Sequence, residues 1–193
     1  MNKIIKNASK AMFVVDVNKG FLVKGNMASP SSQHIIPVCK RIIEKFLAEE
    51  EVVVYVNDWH TDETVEFLDF PEHNKAGSEE AEMVDELLPY QDRVINIHKN
   101  ATSAIFAKGF IELLEKMENV KEVVVIGCCT DICVFNLAIS LKSYFDENNR
   151  KIKIIVPKNA VETFDSPAHS RNEYNEIAFK LLTQAGINVV DSY

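Results

Sequence analysis

The sequence predicts one α/β domain over residues 1–193, three layers (α/β/α) around a central, mainly parallel six-stranded sheet. Three observations predict it. Six short Val/Ile-rich runs are largely apolar at consecutive positions, as strands covered on both faces are. Amphipathic stretches of helical period lie between them. A chain of 193 residues that is 47% hydrophobic and 26% charged has the material for a real core and none of the bias of a disordered or fibrous chain.

The strands are expected at AMFVVDV (11–17), VVVYVND (52–58), RVINIHK (93–99), EVVVIG (122–127), KIKIIVP (151–157) and INVVD (187–191). Helical patterns are expected at 34–49, in a short piece at 78–88, and at 107–117, 131–147 and 170–185. In the fourth, Val134, Leu137, Ala138, Leu141, Tyr144 and Phe145 form one apolar stripe. Gly186 closes the fifth as a C-terminal glycine does. No repeat or low-complexity linker interrupts the alternation. Two long connections do, 18–33 and 61–78, and long loops in compact domains often carry function.

Charge and cysteine usage narrow the partners. The net charge is −8 without a basic stripe, which disfavours a nucleic-acid partner, because phosphate binding needs clustered Lys and Arg. The apolar run 11–15 stops at Asp16, too short for a signal-peptide core, and no run is long enough to span a bilayer. A soluble, intracellular (cytoplasmic) protein with no membrane partner is expected. Three of the four cysteines, Cys128, Cys129 and Cys133, crowd into six positions, with Cys39 apart. No secreted disulfide framework has that spacing, and without a CxxC neither a redox dithiol nor a zinc ribbon is supported.

In open α/β sheets, ligands bind beyond the carboxyl ends of the strands. Asp16, Asp58-Trp59-His60, His98-Lys99 and Gly127, with Cys133 six residues on, all fall at such ends. Parallel strands would place them on one rim. Cys133, in the first turn of the fourth helix, meets unpaired N–H groups and the helix dipole, which favour a thiolate. Lys99 is expected to lower the thiol pKa further, and Asp16 to serve as general base. The tight 127–133 loop offers backbone N–H groups for an oxyanion.

Taken together, these segments resemble the isochorismatase-like cysteine hydrolases, a Rossmann-like fold, and among them the nicotinamidases. The resemblance runs from VVDVNKGF (14–21) to the last strand. Its parts are Asp16 with Phe21, Asp58-x-His60, Phe70-Pro71-x-His73 followed by Ala76-Gly77-Ser78, Lys99 before Ser103-Ala104-Ile105-Phe106, and GCCTDICV (127–134). It implies a catalytic triad of Asp16, Lys99 and Cys133, a cis peptide between Cys128 and Cys129, and an oxyanion hole from the N–H groups of Cys129 and Cys133. The implied reaction is hydrolysis of nicotinamide to nicotinate and ammonia through a cysteine thioester, a step of pyridine nucleotide salvage. A homo-oligomer is common in such a family.

The resemblance also implies one divalent metal, Zn²⁺ first with Fe²⁺ or Mn²⁺ as alternatives, on Asp58, His60 and His73. The loop acid Glu66 is placed as the fourth ligand ahead of Asp62, Glu63 and Asp69. Carboxylate and imidazole donors suit those ions. The metal set and the triad are expected to act separately. Phe21, Trp59 and Phe70 are aromatic candidates for stacking on a planar substrate. The stretch after His73, often Gly-Thr-x-Gly-Ala-Glu in nicotinamidases, reads Gly77-Ser78-Glu79-Glu80-Ala81-Glu82, and Phe70 stands where Trp is frequent. The rival expectations are another hydrolase of this scaffold, acting on an N-carbamoyl, ureido or isochorismate-like compound, and a non-catalytic binding protein.

Overall fold

The computed structural model describes residues 2–193. Strands β1 (Lys10–Val15), β2 (Val52–Asp58), β3 (Ile95–Lys99), β4 (Glu122–Cys128), β5 (Lys153–Pro157), β6 (Val161–Glu162) and β7 (Asn188–Val190) form one sheet. Its order is β3-β2-β1-β4-β5-β7, all parallel, and β6 pairs beside the end of β4. The expected six strands form the path, and β6 is a seventh that is too short for a periodic signal. The helices are α1 (Asn2–Asn7), α2 (Lys19–Leu22), α3 (Ile36–Ala48), α4 (Phe110–Lys116), α5 (Phe135–Glu147) and α6 (Arg171–Gln184).

The consecutive apolar runs find cover on both faces. Ala11, Phe13 and Val15 of β1 pack into one core with Phe110 and Leu114 of α4, Leu137, Leu141 and Phe145 of α5, and Phe179 and Leu182 of α6. Met12 and Val14 face the opposite core, with Ile42, Ile43 and Phe46 of α3. One strand feeding two cores makes the three layers.

One expected helix is absent. Over 78–88 there is a 3₁₀ turn at Glu79–Ala81 and the start of another, Leu88–Arg93, although Met83, Val84 and Leu87 are buried as an apolar face should be. The backbone is drawn out to pair with the 17–19 segment. Lys19 N–H donates to the Glu82 carbonyl, Val84 N–H donates to the Val17 carbonyl, and Asn18 bridges Met83. Tertiary hydrogen bonds have overridden a weak helical preference. The fourth expected helix begins differently as well: Thr130–Val134 is a π-helical turn, and α5 follows it.

Gly127 is the tightest point of the sheet. Its φ is +117°, and a Cβ there would lie 1.9 Å from the Val15 carbonyl oxygen. Only glycine lets β4 bend away at this point beside β1.

Candidate active site

Four neighbouring strands deliver one residue each to the same rim. The register pairs Val15 with Val56 and with Gly127, and Asp58 with Lys99. The strand ends are therefore level. Asp16 follows β1 with φ +50°, a left-handed conformation that Asp tolerates better than most residues. Its N–H donates to the Val56 carbonyl at 2.9 Å, and its Oδ1 accepts the Asp58 N–H at 2.8 Å. The peptide between Cys128 and Cys129 is cis, as the resemblance implies.

Asp16, Lys99 and Cys133 meet beneath this rim, all buried. Lys99 Nζ lies 2.9 Å from Asp16 Oδ2 and 3.7 Å from Cys133 Sγ. It also pairs with Asp58. Donor atoms of Asp16, Asp58 and Cys133 lie within 4.8 Å of one another. Burial, helped by the Asp58 charge and opposed by Lys99, pushes Asp16 up to about 6. Burial acts on Cys133 too. Lys99 works to lower its thiol pKa, but burial and the charges of Asp16 and Asp58 prevail, and the thiol is held well above its ordinary value. The expectation of a lowered thiol pKa is thus corrected in direction: one ammonium shared by two carboxylates does not offset burial. Burial also opposes ionisation of Lys99, yet Asp16, Asp58 and Cys133 keep it charged.

Asp58, His60 and His73 converge beside this group. His60 Nε2 lies 3.5 Å from Asp58 Oδ1 and His73 Nε2 lies 3.6 Å from Asp58 Oδ2. The two Nε2 atoms are 3.2 Å apart. Donors on a sphere of about 2.1 Å at tetrahedral angles are roughly 3.4 Å apart, so these separations fit a first-row divalent ion. The tautomers agree. His73 Nδ1 is 2.7 Å from the Pro71 carbonyl, and His60 Nδ1 faces Asn100 Oδ1 at 3.4 Å, an oxygen that also accepts the Thr61 N–H. Both Nδ1 atoms are placed to donate, and in the neutral rings both Nε2 atoms then turn lone pairs toward each other. A cation between them removes that repulsion. The Lys99–Asp58 pair joins this set to Asp16 and Cys133, which corrects the expectation that the two act separately.

A cavity of about 370 Å³ opens onto these groups, lined among others by Asp58, Glu66, His73 and Cys133. Glu66 Oε2 is buried without a hydrogen-bond partner, though Glu66 is outside the tight group of three. Burial, then the Asp58 charge, raises its pKa. Of its rivals, Asp62 pairs with Lys75, and Glu63 and Asp69 are exposed. Phe21 and Phe70 line the cavity, as does Cys129. Trp59 does not: its indole stacks on His98 at 4.3 Å. The correction follows from strand alternation, which turns residue 59 away from the side shared by 58 and 60. Sequence reasoning missed the remaining walls, including Met27, Thr102, Ile132 and Phe164. Ile132 lies inside GCCTDICV, but Met27, Thr102 and Phe164 come from three other segments with no shared motif. No Lys or Arg lines the cavity among the described residues.

Comparison with known proteins agrees with this architecture. The chain is 28% identical over 173 residues to an isochorismatase family protein, PncA, of Bacillus subtilis, covering 83% of this chain and 90% of that one. The crystal structure of nicotinamidase PncA from Bacillus subtilis superposes with a TM-score of 0.78 at 26% identity, covering 94% of this chain and 99% of that one. N-carbamoylsarcosine amidase from Thermoplasma acidophilum gives 0.75 at 26% identity, covering 94% and 95%. A sequence model of the isochorismatase domain matches residues 10–192, and the chain belongs to the isochorismatase family.

Proposed function

We propose that this isochorismatase-family hydrolase is a nicotinamidase: nicotinamide and water give nicotinate and ammonia. One observation carries the reading. Asp58, His60 and His73 gather their donor atoms beside a buried thiol, in a cavity whose lining holds no lysine or arginine. That combination suits a neutral, ring-bearing amide. A carboxylate substrate, such as an N-carbamoyl amino acid or isochorismate, would enter among Asp58, Glu66 and Asp165 with no lysine or arginine on the lining to receive it. The likeness to nicotinamidase PncA of Bacillus subtilis supports the reading.

Asp16, with its pKa near 6, takes the proton of Cys133 as the sulfur attacks the amide carbon. Burial works against a free thiolate at Cys133, so proton transfer to Asp16 accompanies the attack. Lys99 stays charged between Asp16 and Asp58 and steadies the negative charge as it moves from carboxylate to sulfur. The backbone N–H groups of Cys129 and Cys133 receive the oxyanion. Asp16 returns its proton to the leaving ammonia, then draws one from the water that cleaves the thioester. Phe21 and Phe70 hold the ring. Asp58, His60 and His73, with Glu66 at the cavity wall, would hold a divalent ion, Zn²⁺ by preference. When bound, it supplies a Lewis-acidic contact for a pyridine-type nitrogen.

The test is ammonia release from nicotinamide, pyrazinamide and a set of N-carbamoyl amides. Nicotinamide and pyrazinamide should be hydrolysed and carboxylate-bearing carbamoyl compounds left intact. Preference for the latter overturns the assignment.

A further inference from the structure

The nucleophile is carried on an unusual support. A π-helical turn, Thr130–Val134, holds Cys133. Such turns are wider than an α-helix and less regular in their bonding, so the position of Sγ depends on what braces them. Among the described residues, Asn136 of the adjoining α5 donates to the Ile132 carbonyl at 2.9 Å, and two side-chain bonds tie this turn to elements beyond α5. One is the Lys99 contact with Cys133 itself. The other is Asp131, whose Oδ2 lies 2.8 Å from His169 Nε2.

His169 is itself firmly held. It closes a tight turn in which Ser166 and His169 exchange both backbone hydrogen bonds at 3.0 Å. Its Nδ1 lies 3.1 Å from the Phe164 carbonyl. Its ring is stacked between Phe164, at 3.9 Å and 12°, and Tyr174 of α6, at 3.7 Å and 26°. The side chains of His169 and Asp131 are only 11% and 12% exposed, so the bond is shielded from water and stronger than a surface pair. Phe164 also lines the cavity. The imidazole therefore touches the nucleophile turn at its edge and a cavity wall at its face.

We propose that His169 is a positioning residue with two separable duties: through Asp131 it fixes the turn that aims Cys133, and through its stacked face it fixes Phe164 as a wall for the substrate. The proposal rests on Cys133 being the nucleophile, and not on which amide is cleaved.

The two duties respond to different substitutions. His169→Phe keeps a flat ring between Phe164 and Tyr174 but has no donor for Asp131. His169→Gln places an amide N–H near the former Nε2 and loses the stack. With the best amide of the substrate panel, His169→Phe should lower kcat about tenfold and leave KM within about twofold, the loss of one shielded hydrogen bond to a carboxylate. His169→Gln should raise KM about fivefold and keep kcat within about threefold, as expected for one aromatic stack. Asp131→Asn should reproduce the kcat loss without the KM change. Melting temperatures identify any variant that fails to fold. If both His169 variants change kcat and KM in the same proportion, or neither changes them, the proposal is overturned. If the wild type releases ammonia from no amide, the nicotinamidase reading fails on its own. Alkylation of Cys133 by iodoacetamide, followed by peptide mass, then decides: it should slow in His169→Phe and not in His169→Gln, and equal rates overturn the proposal.

Discussion

Lys99 and Asp58 sit side by side at the ends of adjacent parallel strands, and the Lys99 ammonium pairs with the Asp58 carboxylate while holding Asp16 at 2.9 Å. Asp58 is thus at once a metal-ligand candidate and a neighbour of the proposed nucleophile's base. Lys99→Met leaves two buried carboxylates facing each other without a counter-charge. Turnover should fall about 10²–10⁴-fold, and stability by about 3–5 kcal/mol. Urea unfolding beside steady-state kinetics checks both. A stable, active Lys99→Met protein would remove the ammonium from the mechanism.

The four cysteines separate cleanly. Cys133→Ala should abolish turnover and leave the fold intact. Cys39 is fully buried, its thiol 3.6 Å from the Ala160 carbonyl, and unlike Cys133 it does not line the cavity. Without that access it should resist alkylation at neutral pH, and Cys39→Ala should cost roughly 1 kcal/mol with turnover little changed. Rapid quenching with substrate, followed by peptide mass, should find the acyl group on Cys133 alone.

Asp16 accepts a proton only when ionised, and burial places that ionisation near 6. Cleavage should therefore fade as the pH drops through about 6, approaching tenfold per pH unit below it. Asp16→Asn should lose both the acid limb and most of the rate. A full pH profile of kcat/KM measures this; a limb near 4 points to a carboxylate that is not buried.

Metal removal is the fourth test. Hydrolysis of nicotinamide should vanish on chelation and return with Zn²⁺, Fe²⁺ or Mn²⁺, and His60→Ala and His73→Ala should each weaken metal binding, read by calorimetry. Because Asp58 touches Lys99, chelation should also change the rate of Cys133 alkylation. An unchanged rate would show that the two groups are electrostatically independent. Undiminished hydrolysis after chelation would remove the metal altogether.

Most of the architecture was legible in the sequence because buried parallel strands announce themselves: β1 to β5 and β7 each carry a Val/Ile run, and the strand-end rule alone places Asp16, Asp58, Lys99 and Cys133 on one rim. What stayed hidden depends on long-range partners. The 78–88 segment reads as a helix until Val17 and Lys19 draw its backbone out. Trp59 looks like a stacking residue until the alternation of its strand turns it onto His98. The raised thiol pKa of Cys133 could not be anticipated from a helix-start position, since it follows from burial and from Asp58 engaging the same ammonium as Asp16. Asp131 and His169 are 38 residues apart, and no motif joins them.

The cavity's lack of lysine and arginine bears on departure as well as entry. Hydrolysis of an amide turns an uncharged guest into an anion, and the anion finds itself among Asp58, Glu66 and Asp165 without a lysine or arginine on the wall. Without a metal that field should repel the acid product, whereas a divalent ion on Asp58, His60 and His73 would offset the repulsion. Departure of the acid should therefore depend on metal occupancy, which inhibition of the metal-free and metal-loaded protein by nicotinate measures.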